Sequence, residues 1–260
     1  MRIALGQTNI IWENKKANME KCINMIKNAS KEKSDIIIFP EMSLIGFTMN
    51  TDTMAENFEN SETINFFSKT AKEYNICIGF GVSIKYNDKA LNKFIVCDNT
   101  GKIICNYSKM HPFSYGIEKK YYIGGESIES FTVNGIKCSP TICYDLRFPE
   151  LYQICSKESI IIFTIANWPI ERIEHWDLLL KSRALENQCF IVGVNRTGKD
   201  ITLTYNGHSN IINPLGKALL KTEEKECIMI YDIDPQEAID YRNSFKLKSD
   251  RREDIYKKYY

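Results

Sequence analysis

Two rhythms of apolar residues run the length of the chain. Arg2–Gln7, Asp35–Phe39, Ile76–Ile84, Lys93–Cys97 and Ile103–Tyr107 read as strands, and an unbroken apolar run such as Asp35–Phe39 suits a strand buried on both faces. Between them, Lys15–Ser30 repeats Met19, Cys22, Ile23 and Ile26 at helical spacing, and Ser61–Tyr74 sets Ile64, Phe67, Ala71 and Tyr74 on one helical face. The second half repeats the alternation. Phe131–Val133 and Ile136–Thr141 form a hairpin about Asn134-Gly135, a dipeptide suited to a type I′ turn. Ser159–Ile165 reads as a strand and Glu174–Asn187 as a helix. Cys189–Val194, His208–Ile212, Lys217–Leu220 and Cys227–Asp232 complete the strands, with a tight turn at Asn213-Pro214-Leu215-Gly216. From Pro235 on, the tail is charged and aromatic without a period. Hairpins and helical crossovers together predict an α/β protein with a mixed sheet system and helices outside. A four-layer α-β-β-α sandwich fits, although this pattern alone does not separate it from a doubly wound single sheet.

Composition narrows the class. With 260 residues, 43% of them hydrophobic, and no Ser/Gly-rich linker, the chain can bury a full core and is expected to form one domain over residues 1–260. The 34 Lys and Arg against 33 Asp and Glu leave no basic field for nucleic acid. The opening Met1–Gln7 shows no secretory core or cleavage site, and no apolar run is long enough for a bilayer. A cytoplasmic protein with no nucleic-acid or membrane partner is expected. The nine cysteines are an odd count, and Cys22, Cys77, Cys97, Cys105, Cys138 and Cys189 sit within apolar runs as small core residues. No pair has C-x-x-C spacing, so no metal site is expected.

Three places look unlike core or ordinary loop. Phe39-Pro40-Glu41-Met42 delivers a carboxylate at the carboxyl end of a buried strand, the edge where open α/β sheets hold ligands. Tyr107-Ser108-Lys109-Met110-His111 ends a strand on a lysine. Ile142-Cys143-Tyr144-Asp145-Leu146-Arg147-Phe148-Pro149 runs a strand into a cysteine and then a helix start at Pro149. Taken singly, Glu41 and Lys109 also read as solvated loop residues and Cys143 as a buried structural thiol. A free thiol titrates near 8.5 and needs a neighbouring cation or base to act as a nucleophile at neutral pH.

Together, and in this order, the three segments resemble the Glu, Lys and Cys motifs of the nitrilase superfamily of carbon–nitrogen hydrolases. Cys143-Tyr144-Asp145-Leu146-Arg147-Phe148-Pro149 is similar to its omega-amidase branch, where nitrilases proper have Trp-Glu after the cysteine. Gly46-Phe47-Thr48-Met49, Ala166-Asn167-Trp168-Pro169, His175-Trp176, Arg183–Gln188, Asn195-Arg196, Gly207-His208-Ser209 and Asn213–Gly216 follow the branch's order, and Arg242, Phe245, Asp250-Arg251-Arg252 and Tyr256 resemble its closing tail.

The resemblance implies the four-layer nitrilase fold, no cofactor and no metal. It also implies homodimers or larger assemblies, with Pro149–Ser156, Glu174–Asn187 and the tail near the interface. It assigns Cys143 as nucleophile, Glu41 as general base and Lys109 as the cation that meets the oxyanion and favours the thiolate. A second glutamate, Glu118 or its rival Glu126, follows the lysine. Tyr144, Asn167, Trp168 and Arg172 fall at substrate-binding positions. The implied substrate is a short dicarboxylic acid with one terminal amide, 2-oxoglutaramate first, with Arg172 pairing the free carboxylate. Arg172 could instead pair with Glu171 or Glu174 on the surface. A carbamoyl amine or deaminated peptide amide is the second substrate class. Two other readings stand beside it: a papain-like pairing of Cys143 with His111, His175 or His208, and a non-catalytic binding protein on a hydrolase scaffold.

Overall fold

The computed structural model describes residues 1–259. Two mixed sheets form. One runs in the order Cys227–Asp232, Arg2–Gln7, Ile36–Ile38, Cys77–Tyr86, Lys89–Cys97 and Ile103–Ser108, with Tyr122–Ile123 also paired to Lys89–Cys97. The other runs Asn210–Ile212, Phe190–Asn195, Ile161–Ala166, Ile136–Ile142 and Phe131–Val133.

Period-two alternation stacks them. Ile3, Leu5, Ile36, Ile38, Phe94 and Val96 of the first sheet share one buried cluster with Phe163, Phe190 and Val192 of the second. The intervening residues face outward. Ala4, Ile37, Phe80 and Ile95 pack beneath Cys22 and Ile26 of helix Lys15–Lys31 and Phe67 and Ala71 of helix Glu62–Tyr74. Ile162 and Ile191 meet Tyr152 of helix Pro149–Cys155 and Trp176, Leu180 and Ala184 of helix Ile173–Asn187. The layers are therefore α-β-β-α, as the hydrophobic pattern allowed. Burying a Phe- or Leu-sized side chain contributes about 1.5–3 kcal/mol, and each face repeats that many times over.

Several elements depart from the sequence reading. Helix Gln236–Ser244 forms in the tail. It lacks an apolar period because only Ala238 is buried. Polar contacts fix it instead: Arg242 donates to the carbonyls of Gln188 (2.9 Å) and Asn187 (3.2 Å), at the carboxyl end of helix Ile173–Asn187 where the last carbonyls lack intrahelical partners, and to that of Ser159 (3.1 Å) just before strand Ile161–Ala166. Lys217–Leu220 is not a strand. It returns from the Asn213–Gly216 turn to make a single bridge, Ala218 with Ile212. His208 lies outside the strand Asn210–Ile212, in the left-handed region with φ +63°. A short hairpin, Thr197–Lys199 with Thr204–Asn206, had no apolar alternation to announce it.

Candidate active site

Three strand ends and one loop meet where the sheets face each other. Strand Ile36–Ile38 delivers Glu41 at its carboxyl end, and Gly81 on the neighbouring strand makes that approach possible. A Cβ at Gly81 would lie 2.2 Å from the Met42 nitrogen. The same glycine takes a hydrogen bond from Ser43 N–H (3.0 Å) and donates its own N–H to Ser43 Oγ (2.9 Å), which stitches the glutamate loop to the sheet.

Lys109 follows strand Ile103–Ser108. Its N–H donates to Asn92 O and its carbonyl accepts from Gly125 N–H, each at 2.8 Å, so the backbone is held on both sides. The residue is 1% exposed and its side chain fully buried. Its ammonium donates to Glu41 Oε1 (2.9 Å) and to Glu118 Oε1 and Oε2 (3.1 and 3.0 Å). Glu118 opens the short helix Glu118–Tyr121 and is fully buried, whereas Glu126 is exposed. The structure thus brings Glu118 to the cluster and leaves Glu126 outside it.

Asn92, which the sequence reading passed over, binds both carboxylates. Its Nδ2 donates to Glu41 Oε1 (2.7 Å) and Glu118 Oε1 (3.2 Å). Glu41 Oε2 accepts from the Asn167 N–H (2.9 Å), and Asn167 Nδ2 donates to the Glu41 carbonyl (2.6 Å). The Phe113 N–H donates to Glu118. Burial alone would lower the Lys109 pKa, but Glu118 and then Glu41 outweigh it and hold the lysine charged, well above its ordinary value. Burial lifts the Glu118 carboxyl above the usual range against the pull of Lys109.

Cys143 stands at the end of strand Ile136–Ile142, on the first residue of the 3₁₀ turn Cys143–Arg147, with φ +48°. A non-glycine residue in that region is uncommon and costs of order 1 kcal/mol or more, so the surrounding contacts must hold it. Asp145 supplies many of them. Its Oδ2 accepts from the Ile142 N–H (3.0 Å) and Tyr107 Oη (2.7 Å), and its Oδ1 from the His111 N–H (3.0 Å), with His111 Nδ1 at 2.8 Å. The aspartate therefore clasps the lysine loop to the cysteine turn. His111 also stacks on Phe148, centroids 3.7 Å apart.

The thiol departs from expectation. Burial pushes the Cys143 pKa well above the ordinary thiol value, Glu41 adds to the rise, and Lys109 opposes both without prevailing. The balance thus runs toward the thiol and away from a thiolate held by the lysine alone. None of the three histidines hydrogen-bonds Cys143 among the described residues. His111 is engaged by Asp145, His208 by Asp177 (2.8 Å) and His175 by Arg147 (3.2 Å). A cysteine–histidine pair is absent from this geometry.

A pocket of about 430 Å³, counted to its open mouth, leads to Cys143 and Lys109. Phe47, Phe113, Tyr144, Asn167, Trp168 and Pro169 wall it, and Arg147, Arg172 and Leu203 complete its lining. All four residues expected to bind substrate line this pocket. Among the described residues Arg172 makes no ion pair with Glu171 or Glu174; its guanidinium lies 5.7 Å over the Phe113 ring. No group of three or more acidic, His or Cys side chains suited to a metal ion occurs among the described residues.

The chain as a whole has counterparts among known proteins. The family model for carbon–nitrogen hydrolases matches residues 2–243, and the chain belongs to that family. It is 34% identical over 257 residues to the 2-oxoglutaramate amidase of Bacillus subtilis, with 98% of each chain covered. It is 32% identical over 225 residues to the omega-amidase YafV of Yersinia enterocolitica, covering 86% of this chain and 85% of that one. Among solved structures, it matches a CN-hydrolase superfamily protein of Xanthomonas campestris with a TM-score of 0.90 at 27% identity, over 96% of this chain and 97% of that one. That crystal structure holds an arsenic adduct in its active site.

Proposed function

We propose that the protein is an omega-amidase that cleaves the terminal amide of a short omega-amidodicarboxylate, 2-oxoglutaramate above all, through a thioester on Cys143. The observation that carries this reading is the join of two features: a solvent-excluded Glu41–Lys109–Glu118 cluster beside a thiol, and a pocket mouth that bears arginine and no acidic side chain. The similarity to a 2-oxoglutaramate amidase and an omega-amidase supports the same substrate class.

The chemistry follows from the resting state. Glu41 takes the thiol proton as Cys143 attacks the amide carbon. The oxyanion that develops meets the Lys109 ammonium and the N–H of Tyr144, in the first turn of a helix where such groups lack intrahelical partners. One such donor is worth about 10²–10³ in rate. Protonated Glu41 then hands the proton to departing ammonia, and water activated by Glu41 hydrolyses the thioester. Glu118 fixes Lys109 through both carboxylate oxygens. Arg172 pairs the substrate's free carboxylate, a task its planar fork suits, while Asn167, Trp168 and Tyr144 wall the acyl chain.

Ammonia release tests this directly. The enzyme is expected to turn over 2-oxoglutaramate and succinamate in preference to butyramide, and Arg172→Met to reduce that preference by about tenfold or more, the worth of a hydrogen bond to a charged group. Ready cleavage of N-carbamoylputrescine with no action on either carboxylate would replace the substrate class and leave the cysteine chemistry in place.

The nine free thiols fit a reducing, cytoplasmic setting, and no described helix is long and apolar enough to cross a membrane. Residues 1–260 act as one domain in this reading. Ile154, Leu178 and Leu185 lie exposed on helices Pro149–Cys155 and Ile173–Asn187, which supports a homodimer built on those helices with the tail beside them. Sedimentation at the monomer mass at micromolar concentration would refute it.

A further inference from the structure

Arg147 is the one strong cation of the site that the proposed chemistry leaves without a task. It ends the 3₁₀ turn that begins at Cys143, so the same turn places the nucleophile and this guanidinium. Both Arg147 and Arg172 line the pocket that reaches Cys143, and both line the cleft outside it with Phe113, Tyr115 and Tyr144. Neither cavity has an aspartate or glutamate in its lining.

One tryptophan touches both arginines, the side chain of one and the backbone of the other. Arg147 lies 4.9 Å over the Trp168 ring, and the indole N–H of that same tryptophan donates to the Arg172 carbonyl at 2.7 Å. Trp168 is 3% exposed, so its plane is fixed. Among the described residues, neither arginine makes an ion pair. The Arg172 guanidinium makes no hydrogen bond, and Arg147 has one polar contact, its Nη2 3.2 Å from His175 Nδ1. An imidazole nitrogen that accepts from a guanidinium carries no proton there, so His175 orients Arg147 without neutralising it. Most of the ten N–H donors of the pair thus have no hydrogen-bond partner among the described residues, and two like charges line one cleft with no counter-ion from the protein.

We propose that Arg147 is a specificity-determining residue which, paired with Arg172, admits an oxygen-rich anionic end and refuses an α-ammonium group. This rests on the reading above, in which the substrate carries a free carboxylate. With that carboxylate on Arg172, the substituent on the adjacent carbon falls to Arg147. A 2-oxo group or a second carboxylate oxygen accepts the N–H bonds offered there. An ammonium offers only donors, facing donors of the same charge. A unit charge about 4 Å away changes binding by about fivefold even in bulk water, and by more in a partly dry cleft. L-Glutamine has the same skeleton as 2-oxoglutaramate and differs at that one substituent, so it is the natural probe.

The experiment compares kcat/KM for 2-oxoglutaramate, glutaramate and L-glutamine in the wild type, Arg147→Met, Arg147→Lys and Arg172→Met, with melting temperatures alongside. The wild type is expected to favour 2-oxoglutaramate over L-glutamine by at least about a hundredfold. Arg147→Met should shrink that ratio by about tenfold or more, mostly through KM for the oxo acid. Arg147→Lys keeps the charge and should keep the exclusion of L-glutamine while weakening the oxo acid, since it loses the fork. Arg172→Met should weaken 2-oxoglutaramate and glutaramate alike, because both present the carboxylate. An unchanged ratio in folded Arg147→Met, or equal losses on all three substrates in both Arg147 variants, would overturn the proposal. In either case the omega-amidase reading survives; it fails on its own if the wild type cleaves neither 2-oxoglutaramate nor glutaramate.

Discussion

Cys143→Ala is expected to lower amide turnover by at least about a thousandfold, because members of a catalytic group that act as a unit are each nearly indispensable. The fold should survive. The change removes one sulfur atom that lies at the base of a pocket open to solvent, a loss of about 1 kcal/mol or less, or a few degrees in melting temperature for a chain of this size. The positive φ at position 143 is no harder for alanine than for cysteine. Residual activity above that level would place the nucleophile elsewhere. The same residue tests the charge state. Burial and Glu41 raise the thiol's pKa, so its thiolate fraction, and with it the rate of iodoacetamide labelling, should still be climbing at about pH 9. A plateau near neutrality would mean that Lys109 governs the sulfur after all.

Glu41→Gln is expected to reduce acylation by an amide about 10²–10⁴-fold, the usual span for a positioned acid–base group. Geometry makes the change worse than the loss of one proton acceptor. Glu41 Oε1 accepts from Lys109 and Asn92, and Oε2 from the Asn167 N–H. A glutamine must turn its NH₂ toward one of these donors, and either rotamer sets donor against donor in a buried site. Single-turnover ammonia release reads the acylation step. An activated ester, whose leaving group needs no proton, should lose less than the amide does. Equal loss on both would mean that Glu41 acts only by holding Lys109 and Asn167 in place.

Much of this site was legible because strands buried on both faces read as short apolar runs. Phe39-Pro40-Glu41 and Ile142-Cys143 each show such a run breaking on a polar group, Lys109 ends a strand that alternates at the sheet's edge, and the structure brings all three strand ends together. Pro149 opens a helix, and Asn134-Gly135 turns a hairpin, for local reasons that need no tertiary context. Asn92 escaped notice because an asparagine between Leu91 and Lys93 looks like the frayed start of a strand. The strand in fact begins at Lys89, after a turn in which Asn87 has φ +52°, and Asn92 sits fully inside it. The tail helix escaped because arginine–carbonyl contacts, and not an apolar stripe, dock it. The direction of the thiol's pKa was not legible for a further reason: sequence gives the neighbour's sign but not the burial that opposes it.

The clasp at Asp145 has a consequence for how the molecule comes apart. Its carboxylate is bonded at once to Tyr107 in the first sheet and to the Ile142 N–H in the second, and Asn167 ties the second sheet back to Glu41 in the first. The bolts that aim the reacting groups are thus also bolts between the two halves of the chain. Neither half can melt or slide while the site stays assembled. Separation of the two halves therefore takes catalytic competence with it, and a split of this chain into two separately folding fragments would have to break the site to make the cut.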